Sequence, residues 1–178
     1  MPEAHNQLSI RDLHTSDCAI ISSAFTAQGW NKPIEQYWRY LLECQEDRRT
    51  VLVAEVAGEF AGYITILWES PYPPFREHKI PEISDFNVLI KFRRRGIGTT
   101  LMDEAERRIA QRSSLVGIGV GLTENYGAAQ ILYVKRGYIP DGKGISHNER
   151  FLKHGDQVTI DDDLILCFTK NFSAFPSI

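Results

Sequence analysis

The chain has 178 residues, 43% of them hydrophobic and 24% charged, with a formal net charge of −3. That size and balance suit one globular domain with a buried core. The slight acid excess argues against a general nucleic-acid binder. No run approaches the roughly 20 apolar residues that span a bilayer, so no membrane role is expected.

The first residues, Met1-Pro-Glu-Ala-His-Asn-Gln7, lack a basic start followed by an apolar run and do not read as a signal peptide. Cys18, Cys44 and Cys167 are too widely spaced for a zinc site and odd in number for a disulfide framework, which points to a reducing, cytoplasmic setting. His5, His14, His78, His147 and His154 show no metal-type spacing, so no metal is expected.

In chain order, residues 8–13 alternate as a strand, and Thr15, Ser16 and Asp17 offer caps for a first helix. Pro33 can open a second helix, whose apolar face is read as Ile34, Tyr37, Trp38, Leu41 and Leu42. Val51 to Val56 and Phe60 to Trp68 form strands joined at Ala57-Gly58-Glu59. Residues 69–81, with four prolines, are expected to be a loop, either a lid or a plain connector. Glu82 to Ile90 is a further strand. Gly96 to Ser113 is a helix with Leu101, Met102, Ala105 and Ile109 on one face and Asp103–Arg107 and Glu104–Arg108 pairs outside. A strand over 115–122, a short helix over 127–136 and a closing strand over 164–170 complete the series. The expectation is a single α/β domain over residues 1–178, with a mixed sheet of about six or seven strands and about four helices. Such an architecture by itself implies no activity.

The segment richest in chemistry is Val88-Leu-Ile-Lys-Phe-Arg-Arg-Arg-Gly-Ile-Gly-Thr99. A strand runs into a basic, glycine-containing turn and then a helix, whose first N–H groups and dipole favour an anion. Gly96 and Gly98 would let phosphate oxygens approach the backbone, with Lys91, Arg93, Arg94 and Arg95 beside them. The same residues could also be a solvated basic turn. A P-loop is excluded because no lysine follows Gly98, and a Rossmann fingerprint because the third glycine is missing.

Arg93-x-x-Gly96-x-Gly98 after a strand resembles the acetyl-CoA signature of the GCN5-related N-acetyltransferase (GNAT) superfamily. Further on, Ala129, Tyr133 and Gly137-Tyr138 hold the places of that superfamily's second motif, and the two motifs cover residues 82–138. The resemblance implies the GNAT fold, with its sheet splayed between the two central strands, and acetyl-CoA as co-substrate. It implies that Phe86, Asn87, Val88 and Ile90 bind the pantetheine arm. It places the pyrophosphate on the segment Arg93, Arg94, Arg95, Gly96, Ile97, Gly98 and Thr99. Where the superfamily usually has an asparagine against pantetheine, this chain has Tyr126, with Asn125 one residue away.

For the reaction, the resemblance implies that Glu82 is the candidate base; otherwise it is a solvated glutamate at a strand start. It implies that Tyr133 donates to the departing sulfur; otherwise it is a core tyrosine. Relatives acting on ribosomal-protein N-termini carry a glutamate where this chain has Gly121. Gly117, Gly119 and Gly121 share one strand face, which either makes room for substrate or permits close packing. Trp30 and Glu35 are candidate substrate contacts, while Phe25, Tyr37, Trp38 and Trp68 read as core. Asp161-Asp162-Asp163 reads as a solvated turn rather than a metal cluster. No Gly-x-Ser-x-Gly is present and the sequence offers no support for a nucleophilic triad, so direct transfer to an amine is expected. The acceptor would be a small molecule or a lysine-like protein amine, and a homodimer is possible. The other reading is an inactive acyl-CoA-binding sensor or interaction module, and a donor longer than acetyl stays open.

Overall fold

The computed structural model describes residues 8–173; His5 and the amino-terminal residues considered above lie outside them. The described chain falls into two compact units, residues 8–68 with 84–108, and residues 69–83 with 109–173.

The first unit contains β1 (Leu8–Asp12), α1 (Asp17–Ala27), α2 (Ile34–Gln45), β2 (Arg49–Val56), β3 (Glu59–Leu67), most of β4 (Glu82–Val88) and α4 (Ile97–Ala110) up to Arg108. β1 pairs antiparallel with β2, and β2 with β3. The β2–β3 turn puts both Ala57 (φ 52°) and Gly58 (φ 80°) in the left-handed region, the backbone that matches the twist of a tight hairpin. Arg11 joins β1, α1 and β2 through Asp17 (2.7 and 2.8 Å) and Glu55 (2.5 Å). Leu101, Met102, Ala105 and Ile109 of α4 are all fully buried, as their spacing predicts. On its outer face, Glu104 takes both Arg107 and Arg108.

The buried side of α2 differs from the expected stripe. Tyr37 and Tyr40 are buried, whereas Trp38 and Leu42 are about half exposed. Counting apolar residues favoured the wrong edge of the helix, because Tyr40 carries a hydroxyl that the interior requires (below).

The second unit contains α3 (Pro73–Glu77), the first two residues of β4, β5 (Leu115–Gly121), α5 (Gly127–Lys135), β6 (Ile139–His147), β7 (Arg150–Phe151) and β8 (Leu164–Asn171). Its strand order is β4-β5-β8-β6-β7, and β1-β2-β3-β4 is that of the first unit, which gives eight strands among the described residues. β4 and β5 are parallel; β5–β8, β8–β6 and β6–β7 are antiparallel. The β4–β5 ladder holds only Glu82↔Gly117 and Ile83↔Ile118, although both strands continue past it. That is the splay expected of a GNAT sheet.

Among the described residues, eight strands and five α-helices stand against the expected six or seven and four. β6 reads poorly because Ile139-Pro-Asp-Gly-Lys-Gly-Ile-Ser-His147 is largely exposed and has little alternation. The extra helix is α3, inside the proline-rich stretch expected to be a loop. Prolines are tolerated in a first helical turn, and they occupy the first two positions of α3. The stretch is no plain connector: Tyr72, Phe75 and Ile80 form a buried cluster with Cys167.

That cluster explains the glycine face of β5. A Cβ on Gly117 would lie 2.3 Å from the Phe75 ring, and one on Gly121 would lie 2.5 Å from the Tyr126 ring. The bare face is therefore packed by aromatic rings and is not left open. At Gly119 the nearest atom would be the flexible Ile165 Cδ1, at 3.2 Å. Gly117→Ala is expected to cost about 1–3 kcal/mol by overpacking, and Gly119→Ala clearly less. Urea denaturation checks this, and equal losses at the two positions would contradict the packing account.

Candidate active site

β4 leads through a single 3-10 turn (Ile90–Phe92) into the basic segment and then α4. Arg94 (φ 58°) and Gly96 (φ 80°) both have left-handed backbone. Alternation of this kind turns successive N–H groups toward a common concavity. The first intrahelical bond of α4 runs from Thr100 N–H to Gly96 O (3.0 Å). The N–H groups of Ile97, Gly98 and Thr99 thus precede the ladder and are available to an anion. A Cβ on Gly98 would sit 3.1 Å from the Phe86 ring, so glycine lets β4 and the helix start approach closely.

Three of the four cations around this turn, Lys91, Arg93 and Arg95, are exposed but held. Arg93 donates to Val88 O (3.2 Å), and its guanidinium lies over the Trp30 ring. Arg95 lies over Phe92, and Lys91 pairs with Glu59. Trp30 is itself stacked on Phe25 (ring centroids 5.6 Å), which places it beside the basic turn. Glu35 is exposed in the first turn of α2. The Ile90 N–H is accepted by Gln28 Oε1 (3.1 Å).

The least anticipated feature of β4 is Asp85. Its backbone is left-handed (φ 44°), so side-chain parity does not carry across it from Glu82 to Phe86 and Val88. Its carboxylate accepts five hydrogen bonds: from Lys32 Nζ (2.7 Å), Gln36 Nε2 (2.8 Å), Tyr40 Oη (2.9 Å), Tyr63 Oη (2.5 Å) and Asn87 Nδ2 (2.8 Å). Burial alone would raise the Asp85 pKa, but the Lys32 charge and hydrogen bond, with the two phenols, hold it below the ordinary carboxylate value.

In the second unit, Glu82 is buried, not solvated. Ser70 Oγ donates to Glu82 Oε2 (2.5 Å) and accepts from Tyr72 N–H (3.0 Å). Tyr72 Oη donates to Asp141 Oδ2 (2.7 Å). The neighbouring Cys167 thiol is pushed up to about 12, chiefly by burial and then by the Glu82 charge. Tyr133 of α5 is buried, and burial raises its pKa, with Tyr126 adding to the effect. Its hydroxyl has no hydrogen-bond partner among the described residues. Asn125 is exposed and Ala129 half-buried. Tyr126 packs on Gly121 and donates to Asp162 Oδ1 (2.8 Å), while Asp161 faces His147 (3.0 Å).

The comparison with known proteins is decisive here. The Acetyltransferase (GNAT) family matches residues 13–138. The chain belongs to the GNAT family. An uncharacterized N-acetyltransferase of Archaeoglobus fulgidus is 34% identical over 100 residues, a match spanning 54% of this chain and 64% of that protein. Among solved structures, an N-acetyltransferase from Staphylococcus aureus superposes with TM-score 0.69 at 17% identity, covering 94% of this chain and 99% of that one. The ribosomal-protein-alanine N-acetyltransferase of Brucella melitensis gives 0.68 at 23%, covering 92% and 99%. The yncA protein of Salmonella typhimurium, solved with acetyl-CoA, gives 0.63 at 20%, covering 97% and 98%. At these identities the structures speak for the fold.

Within this GNAT chain, the structure brings the residues of the basic turn together at the start of α4. It also adds what sequence reading missed: Asp85 with Lys32, Gln36, Tyr40 and Tyr63, and the Ser70 and Tyr72 support of Glu82. An acidic residue in the middle of a strand was the available signal for Asp85. The raised Cys167 thiol has a chemical consequence. Only thiolate attacks electrophiles, so mass spectrometry after iodoacetamide treatment at pH 8 is expected to find Cys167 unlabelled in the native protein and labelled after unfolding. Rapid native labelling would show a reactive thiol instead.

Proposed function

We propose that this protein transfers acetyl from acetyl-CoA directly to a primary amine, with the two units forming one acetyltransferase domain in the cytoplasm. The observation that carries the reading is the basic turn of the GNAT-matched segment, which presents three N–H groups without a partner among the described residues at the start of a long helix. The CoA pyrophosphate is assigned to residues 93–99, and the pantetheine arm to the peptide groups of Phe86, Asn87 and Val88. Ile90 contributes less, since its N–H is already bonded to Gln28.

Tyr133 is assigned to the sulfur of CoA. A phenol has an ordinary pKa near 10 and a thiol about 8.5, and burial raises Tyr133 further. Complete proton transfer is therefore more uphill than in water. The hydroxyl acts as a hydrogen-bond donor to charge developing on sulfur, which is useful in a dry site. Its lack of a partner among the described residues supports that role. Glu82 is assigned as base: an alkylammonium with a pKa near 10.4 must lose a proton before it attacks. Ser70 orients the Glu82 carboxylate.

The acceptor is a small-molecule or lysine-like amine. The glutamate associated with ribosomal N-terminal acetylation is replaced by Gly121, and the Tyr126 ring fills the space beside it.

Saturating CoA is expected to raise the melting temperature by mass action. Tyr133→Phe is expected to lower kcat by about 10- to 100-fold with acetyl-CoA affinity nearly unchanged, measured by thiol release across an amine panel. Full kcat in that variant would remove Tyr133 from the mechanism. CoA binding by the wild type with no turnover on any amine would favour the binding-module reading, and no thermal shift with CoA would overturn both.

A further inference from the structure

The Asp85 cluster lies wholly within the first unit, and its composition is unusual for a strand interior. Side chains from the α1–α2 loop (Lys32), α2 (Gln36, Tyr40), β3 (Tyr63) and β4 itself (Asn87) all converge on one carboxylate. The charged and titratable groups around it extend further. Tyr37 Oη reaches Tyr63 Oη (3.4 Å), and the Arg49 guanidinium lies 4.0 Å over the Tyr40 ring. Arg49 also donates to Thr65 Oγ1 (2.8 Å), which donates to the Ser84 carbonyl (2.8 Å). Arg49 is neutralised in turn by Glu43 (2.5 Å), and the Arg39 guanidinium lies 5.8 Å from the centre of the Tyr40 ring. The peptide group before Asp85 is thus fixed through Thr65, and beyond Val88 the strand is fixed by Leu89 N–H on Ala61 O (2.9 Å).

Between those two anchors the backbone turns left-handed at Asp85, a conformation that a non-glycine residue holds only when its surroundings over-determine it. The five donors supply that determination. They hold the side chain at both oxygens, so the Cα–Cβ bond, and with it the peptide planes on either side, has little freedom.

We propose that Asp85 is a positioning residue for the cofactor strand: its gathered carboxylate fixes the left-handed backbone step that aims the peptide groups of Phe86 and Asn87 at the pantetheine amides. The proposal rests on the acetyl-CoA reading above and adds a group that touches neither acetyl-CoA nor the acceptor. It also gives Lys32 a definite task. Three donors meet Asp85 Oδ2 and two meet Oδ1, so a protonated carboxyl or an amide would set donor against donor. Lys32 keeps the carboxylate ionised.

The pH dependence follows. A native pKa below the ordinary value of 3.8 means the cluster is intact above that value and is lost only as pH falls through the lower native one. In the wild type, the acetyl-CoA KM is therefore expected to show no Asp85 inflection between about pH 5.5 and 8. Lys32→Met removes the cation, burial is no longer opposed by it, and the Asp85 pKa rises. The acetyl-CoA KM of that variant is expected to climb as pH falls through the raised value. Asp85→Asn and Tyr63→Phe are expected to raise the acetyl-CoA KM by about tenfold, with kcat at saturating acetyl-CoA within about threefold. Should Asp85→Asn fail to fold, Tyr63→Phe, which keeps the ring, carries the same measurement.

Initial rates and melting temperatures of all four proteins decide the matter. A KM increase in Asp85→Asn or Tyr63→Phe, with a pH-dependent KM in Lys32→Met, supports positioning. Lower melting temperatures with unchanged KM and a flat Lys32→Met profile would show a purely structural cluster and overturn the proposal. A wild type that neither binds nor uses acetyl-CoA would instead overturn the functional reading on which it stands.

Discussion

A negative charge drawn partly out of water within a strand is tolerated only when the protein returns the hydrogen bonds and counter-charge that water supplied. Asp85 sets that requirement for the first unit, and much of the unit's arrangement answers it. The α1–α2 loop delivers Lys32, α2 is rotated so that Tyr40 faces inward, and β3 contributes Tyr63 from the core. Burial raises the pKa of both phenols, and the Asp85 charge raises it further, so both remain neutral donors. Because the donors come from four segments, the backbone of β4 is tied to the interior by side chains as well as by strand pairing.

The second unit meets a different constraint. β5 carries glycine at alternate positions, and the space on that face is occupied by the Phe75 and Tyr126 rings. Phe75 reaches it from α3, whose first two positions are prolines, and lies in the buried cluster with Tyr72, Ile80 and Cys167. The same segment brings Ser70 and Tyr72 to Glu82 and Asp141. An apparently featureless, proline-rich connector thus both fills the core and orients the candidate base.

The basic turn shows how total charge and local charge can part. The chain is slightly acidic overall, yet it gathers four cations between residues 91 and 95, where a helix also exposes its unpaired N–H groups. Fixed dipoles and cations at one point act on an anion with little dilution by the distant acidic surface.

Legibility in the sequence tracked the range of the interactions involved. The β2–β3 hairpin, the buried face of α4 and the Arg93-x-x-Gly96-x-Gly98 turn depend on neighbours within a few residues, so they were legible from spacing, and the turn's resemblance to a family signature pointed to the GNAT family that the match over residues 13–138 shows. α3, the exposed strand β6, the filling of the β5 glycine face and the inward turn of Tyr40 depend on residues far along the chain. Asp85 belongs to that second group. Reading the sequence could register an aspartate in a strand, but only the tertiary fold decides whether such a carboxylate meets water or, as here, five donors, Lys32 among them, drawn from segments up to 53 residues away.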